Sequence, residues 1–211
     1  MSKRLITAIV LSAVLAAGCA KDKEVVAPVD TSTGSSAAGT VAAGKVSENQ
    51  AVTAVGSPLI ELPKAGIDAA LGQKAPALSG FSFDGTPVEV KPGSKATLLV
   101  FLAHWCPHCQ REVPLLTAWI KSGKVPANLD LVAVSTAVEK SATNYPPSKW
   151  LAKEGWTKPV MADDIKRTAS SAYGLTGFPY FVLIKADGTV VARQSGEVEI
   201  SALEALVARA L

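Results

Sequence analysis

The sequence predicts an α/β domain with a mixed central sheet, an N-terminal hairpin extension and flanking helices. Three observations lead there. Residues 96–102 form an almost unbroken apolar run, as expected of a strand covered on both faces. Asp84-Gly85 and Asp187-Gly188 each separate two strand-like segments and read as hairpin turns. Between those hairpins strand patterns alternate with helical ones, and a helix over 200–210 offers Leu203, Leu206 and Val207 to a core.

Taken in order, 77–83 and 87–90 form the first hairpin. The strand at 96–102 runs into a helix over 107–121, which Pro107 can start because its missing N–H would be unpaired there. Val113, Leu115, Leu116, Trp119 and Ile120 suit a helix packed on a sheet, and Pro114 inside it should kink it. A second apolar strand spans 129–135. Residues 136–147 are polar with a Pro-Pro pair and read as a loop, after which Ser148 caps a helix carrying Trp150 and Leu151. A brief strand at 159–162 follows. Asp163 or Asp164 then caps a helix to Tyr173, a capping role and not a catalytic one. Segments 179–185 and 189–193 make the last hairpin.

Composition narrows the function. Of 211 residues 48% are apolar, enough for a sizeable core. Removing Lys3 and Arg4 from the 21 basic residues leaves 19 against 18 acidic ones, so nothing calls for nucleic acid. Residues 1–18 have the basic start and short apolar middle of an export signal peptide, too short to span a bilayer. They end in Leu15-Ala16-Ala17-Gly18-Cys19, which resembles a bacterial lipobox, although Ala16 stands where leucine is commonest. Lipid attachment at Cys19 accounts for the odd cysteine among three. It places the domain outside the cytoplasm on a bacterial membrane, where disulfide chemistry is permitted. Residues 19–68 are rich in Ala, Ser, Thr and Gly and read as a flexible tether of roughly 40 Å reach. The remainder, 69–211, is the folded domain.

The chemistry concentrates at Trp105-Cys106-Pro107-His108-Cys109. At the start of a helix the two sulfurs share one face at i and i+3, close enough to bond. Cys106 lies at the positive end of the helix dipole, where a thiolate is favoured. It is the expected nucleophile, with Cys109 its resolving partner. A protonated His108 would stabilise that thiolate, and stabilising the reduced form makes the disulfide a stronger oxidant. An ionised Glu112 would do the opposite, or would accept the Cys109 proton. One C-x-x-C lacks the second pair of a structural zinc site. His104 and His108 make a metal cluster conceivable, but a surface position before the motif is the plainer reading of His104. No cofactor or resident metal is expected.

On these residues the region from 71 to 211 resembles a thioredoxin-fold protein. It is most similar to membrane-tethered extracytoplasmic thiol–disulfide oxidoreductases of the TlpA/ResA type. The resemblance rests on the Trp105–Cys109 motif, on Pro114 and on Phe178-Pro179 opening a later strand. It implies a cis bond before Pro179, with that loop facing the cysteines, and a substrate groove formed by Trp105, Phe178 and Pro179, with Tyr180 as a further lining candidate. Glu112 matches a glutamate that tunes the cysteines in the ResA-like, cytochrome-maturation branch. Two departures matter. Thioredoxin's buried aspartate six residues before the first cysteine is Val100 here, and Pro-His between the cysteines resembles oxidising DsbA-type pairs.

The resulting expectation is an enzyme with Cys106, Cys109, His108 and Glu112 as catalytic residues. Its partners would be protein thiols and disulfides, plus a membrane redox partner. Pro-His and Val100 favour donating disulfides, whereas Glu112 and the family branch favour reduction, for example of apocytochromes; the balance tips toward oxidation. Two rivals are a redoxin-type thiol peroxidase, against which Ala103 stands where that class carries threonine, and a copper- or zinc-binding chaperone.

Overall fold

The computed structural model describes residues 46–211. The expected signal peptide, Cys19 and the first part of the expected tether lie outside the described residues.

Eight strands and four helices follow one another among the described residues: β1 (Thr53–Val55), β2 (Ala77–Phe81), β3 (Pro87–Val90), β4 (Ala96–Leu102), α1 (Pro107–Lys121), β5 (Leu129–Ser135), α2 (Pro147–Lys153), β6 (Val160–Ala162), α3 (Thr168–Ala172), β7 (Tyr180–Ile184), β8 (Val190–Ser195) and α4 (Ile200–Val207). The main sheet has the order β6-β5-β4-β7-β8. β4 runs parallel to β5 and antiparallel to β7. This is the α/β thioredoxin-like fold with a mixed five-stranded sheet. A separate antiparallel sheet, β1-β2-β3, is the N-terminal extension.

β4 is central because its sequence allows nothing else. All seven residues are buried, and their alternation splits them between two cores. Leu98, Val100 and Leu102 face a cluster with Val113, Leu116 and Trp119 of α1 and Leu203 and Val207 of α4. Leu99 and Phe101 face Leu78, Val88, Tyr173 and Tyr180 on the opposite side. The parallel β4–β5 connection requires a crossover, and α1 supplies it. The carboxyl end of β4 therefore opens directly into the helix that carries the cysteines.

Some expectations need correction. The tether cannot extend to residue 68, because 46–68 is packed on the domain. β1 pairs with β2, and Leu59 is buried. Asp68 accepts a 2.8 Å hydrogen bond from Nε of buried Arg193, whose Nη1 donates to the Ile60 carbonyl at 2.7 Å. Gly174 makes this docking sterically feasible: it has φ +64°, and a Cβ there would lie 2.2 Å from the Ile60 carbonyl oxygen. Ser148 is not a cap. The residue before α2 is Pro146, and Ser148 in the first turn donates N–H and hydroxyl bonds to Glu48. Leu115 faces solvent instead of the sheet. α4 stops at Val207, short of residue 210. Asp163 and Asp164 do serve the start of α3, accepting N–H bonds from Ala169, Ser170 and Thr168, although Arg167 occupies the cap position itself.

Candidate active site

Cys106 is the N-cap residue of α1, with extended backbone angles, and Pro107 opens the helix. Its N–H donates to the Ala103 carbonyl at 3.0 Å, which turns the chain from strand to helix. The side chain is 6% exposed, and the thiol reaches the Phe178 carbonyl at 3.9 Å. The Phe178–Pro179 peptide bond is cis, and the contact with the Phe178 carbonyl shows that the loop before β7 faces the first sulfur, both as the resemblance implied. Cys109, one turn on, is fully buried, and both cysteines are free thiols. Burial above all pushes the Cys109 thiol well above its ordinary value; charge on Cys106 and on Glu112 adds to the rise.

Glu112 follows one turn further along the same buried face. It is fully buried; Oε2 accepts the Val198 N–H at 3.1 Å, while Oε1 has no hydrogen-bond partner among the described residues. Burial pushes its carboxyl up to about 7; the Val198 bond pulls the other way, and the carboxylates of Glu197 and Glu199 add to the rise. Val100 packs in the same apolar cluster as both cysteines, so among the described residues the buried carboxyl on this side of the sheet comes from the helix and not from β4.

His108 does not turn inward. Its side chain is exposed, with Nδ1 2.5 Å from Glu197 Oε1 and 2.8 Å from Arg111 Nη2. Arg111 Nε also donates to Glu197, at 3.1 and 3.2 Å to the two oxygens. His104 is the reverse case: the expected surface residue is buried. The Thr143 carbonyl can only accept, so Nδ1 donates to it at 2.7 Å; Nε2 in turn accepts the Glu139 N–H at 3.1 Å. Both ring nitrogens are thereby engaged with the loop at 136–147. The two histidines that made a metal cluster conceivable are drawn to different partners.

Around the opening, Trp105 is 36% exposed and donates its indole N–H to the Ala137 carbonyl at 2.8 Å. Its ring meets Phe178 edge-on at 5.8 Å, so the two aromatics form one rim beside Cys106. Tyr180 is not part of that rim. It is fully buried, and its hydroxyl donates to the Tyr173 carbonyl. The structure therefore brings together Cys106, Cys109, Glu112, Trp105, Phe178 and Pro179, and sets His108 at the edge. Sequence reasoning missed Glu197, Arg111 and the Val198 N–H. Arg111 stands one helical turn from His108 and could have been suspected; Glu197 is 86 residues away and carries no local signal.

Fold and site together define a thioredoxin-fold protein with an N-terminal thiol pair on its first long helix. The redoxin family model matches residues 70–207, more than half of the chain, and the chain belongs to the redoxin family. It is 30% identical over 103 residues to nucleoredoxin of Danio rerio, covering 47% of this chain and 23% of that protein. It is 27% identical over 127 residues to the methylamine utilization protein MauD of Methylobacillus flagellatus, covering 58% and 56%. The chain thus spans a quarter to about half the length of these relatives. A solved structure titled a putative thiol:disulfide interchange protein DsbE, from Chlorobium tepidum, superposes with a TM-score of 0.55 at 25% identity, covering 66% of this chain and 96% of that one.

Proposed function

We propose that this chain is a protein thiol–disulfide oxidoreductase acting through Cys106 and Cys109, that it runs as a disulfide reductase, and that a lipid on Cys19 holds it outside the cytoplasm. One observation carries the reading: a near-surface thiol at the start of α1 stands against the Phe178–Pro179 loop, with a buried thiol and a buried, half-partnered carboxyl one and two turns behind it.

The Cys106 thiolate attacks a substrate disulfide seated against the rim formed by Trp105 and Phe178. A mixed disulfide forms and one substrate thiolate leaves. Glu112, poised near neutrality, takes the proton from Cys109, whose buried thiol would otherwise hold it. Cys109, now a thiolate, attacks the Cys106 sulfur, expelling the second substrate sulfur as a thiolate that takes a proton from water, and closing the Cys106–Cys109 disulfide. Two electrons have passed to the substrate, and an external dithiol donor at the membrane must return the pair to its reduced form.

The placement of the charges supports this direction. The oxidising expectation leaned on Pro-His and on Val100, yet His108 is held against Glu197 and the ionisable group buried behind the sulfurs is Glu112. A carboxylate there disfavours thiolate and so favours the disulfide form, which is the property of a reductant. Disulfides of apocytochromes are one substrate class this direction suits. Replacing Cys109 by Ser should trap mixed disulfides between Cys106 and partner proteins in cells; a folded variant that traps none overturns the reading. Anchoring has its own test: Cys19→Ser should move the protein from the membrane fraction to the soluble one.

A further inference from the structure

Glu197 takes no part in that exchange, yet it touches the site from two directions. It lies between β8 and α4 and meets the start of α1 from outside. Arg111 donates to it through Nε and Nη2, and His108 Nδ1 lies 2.5 Å from Oε1. These are the two basic side chains of the helix turn that carries the cysteines. The next residue, Val198, is buried and turns its N–H inward onto Glu112 Oε2 at 3.1 Å. One dipeptide therefore grips the cations on the outer face of α1 and the carboxyl on its inner face. The charges register each other. Arg111 is held charged chiefly by Glu197, with a contribution from a Cys106 thiolate, and Glu197 is held ionised first by Arg111 and then by His108.

We propose that Glu197 is a positioning residue that keeps the Cys106/Cys109 couple reducing, by neutralising Arg111 and His108 beside the first sulfur and by holding the Val198 N–H on Glu112. The inference rests on the exchange chemistry proposed above. Without the Glu197 charge, the Arg111 guanidinium, on the same helix turn, acts on the Cys106 thiolate uncompensated. The reduced pair is then stabilised and the couple becomes more oxidising.

The test equilibrates the purified full chain with glutathione buffers and reads the Cys106/Cys109 dithiol fraction by alkylation and mass spectrometry. Glu197→Gln keeps a hydrogen-bond acceptor and removes the charge. It should shift the equilibrium constant toward the dithiol by about three- to tenfold, tenfold corresponding to about 30 mV. Arg111→Gln alone should shift it the opposite way, and the double variant should return to within about twofold of the unaltered chain. A purely structural role would not be reversed by removing Arg111. Equal constants for the unaltered chain and Glu197→Gln, or a double variant that stays shifted, overturn the proposal. Should Glu197→Gln fail to fold, Arg111→Gln decides it by the sign of its shift. An unaltered chain whose cysteines never equilibrate with glutathione fails the exchange reading itself, a result distinct from matching constants.

Discussion

The Val198 N–H donates to Glu112 Oε2 at 3.1 Å, and no other hydrogen bond reaches that carboxyl among the described residues. A buried acid with one partnered oxygen binds its proton more tightly in the folded chain than in the unfolded one. Its carboxyl, raised to about 7 from an ordinary 4.5, carries no cost below pH 4.5, where both states are protonated. The cost grows as pH climbs toward 7 and is then fully present. Wild-type stability relative to Glu112→Gln should therefore fall between pH 4.5 and pH 8, on the order of 3 kcal/mol by linkage. Urea unfolding of both proteins at the two pH values measures it. Parallel pH profiles would contradict the assignment.

The same residue should control the second half of the exchange. With Glu112→Gln, Cys109 loses its proton acceptor, and release of the mixed disulfide should slow by about a hundredfold or more while its formation continues. Single-turnover kinetics with a model disulfide separate the two steps. Equal release rates would move the proton path elsewhere.

His104 ties the turn before the cysteines to the loop at 136–147 through both ring nitrogens. Truncation to Ala empties the space of a buried ring and removes both of its hydrogen bonds to the loop, and should cost about 2–3 kcal/mol. The loop also receives the Trp105 indole at Ala137, so Trp105 fluorescence should change with it. Chemical denaturation and emission spectra report both. Unchanged stability would mean that the loop is held by other contacts.

Arg193 and Asp68 form the lock that fastens residues 59–68 to the back of the sheet. Breaking such a pair from one side strands a buried charge, and Asp68→Ala should lose about 3 kcal/mol. Arg193 lowers the Asp68 carboxyl, so this contribution is present above the ordinary carboxylate range and fades as pH falls below it. Limited proteolysis should then cleave near residue 60 in the variant first. Equal resistance in the two chains would contradict the lock.

What could be read from the sequence was what is local. The apolar run of β4, the two Asp-Gly hairpins and the cysteine spacing each announce themselves within ten residues, and all three stand in the structure. The residues that shape the site electrostatically are not local. Glu197 reaches Arg111 across 86 positions, and Asp68 reaches Arg193 across 125. His104 looked like a surface residue because its partners are backbone groups, which any loop could have offered. β1 escaped notice because three residues of Thr, Ala and Val are too few to show alternation against an Ala-rich background. Val100 was visible from the start as a missing acid, and the proposed exchange gives its task to the buried Glu112 of α1.

The central claim is that the Cys106/Cys109 couple gives electrons to protein disulfides. Its most direct test is the reduction potential of the pair in the purified chain at pH 7. The account predicts a value near that of thioredoxin, about −270 mV, or below. A value near that of a strong oxidant, about −120 mV, would contradict it.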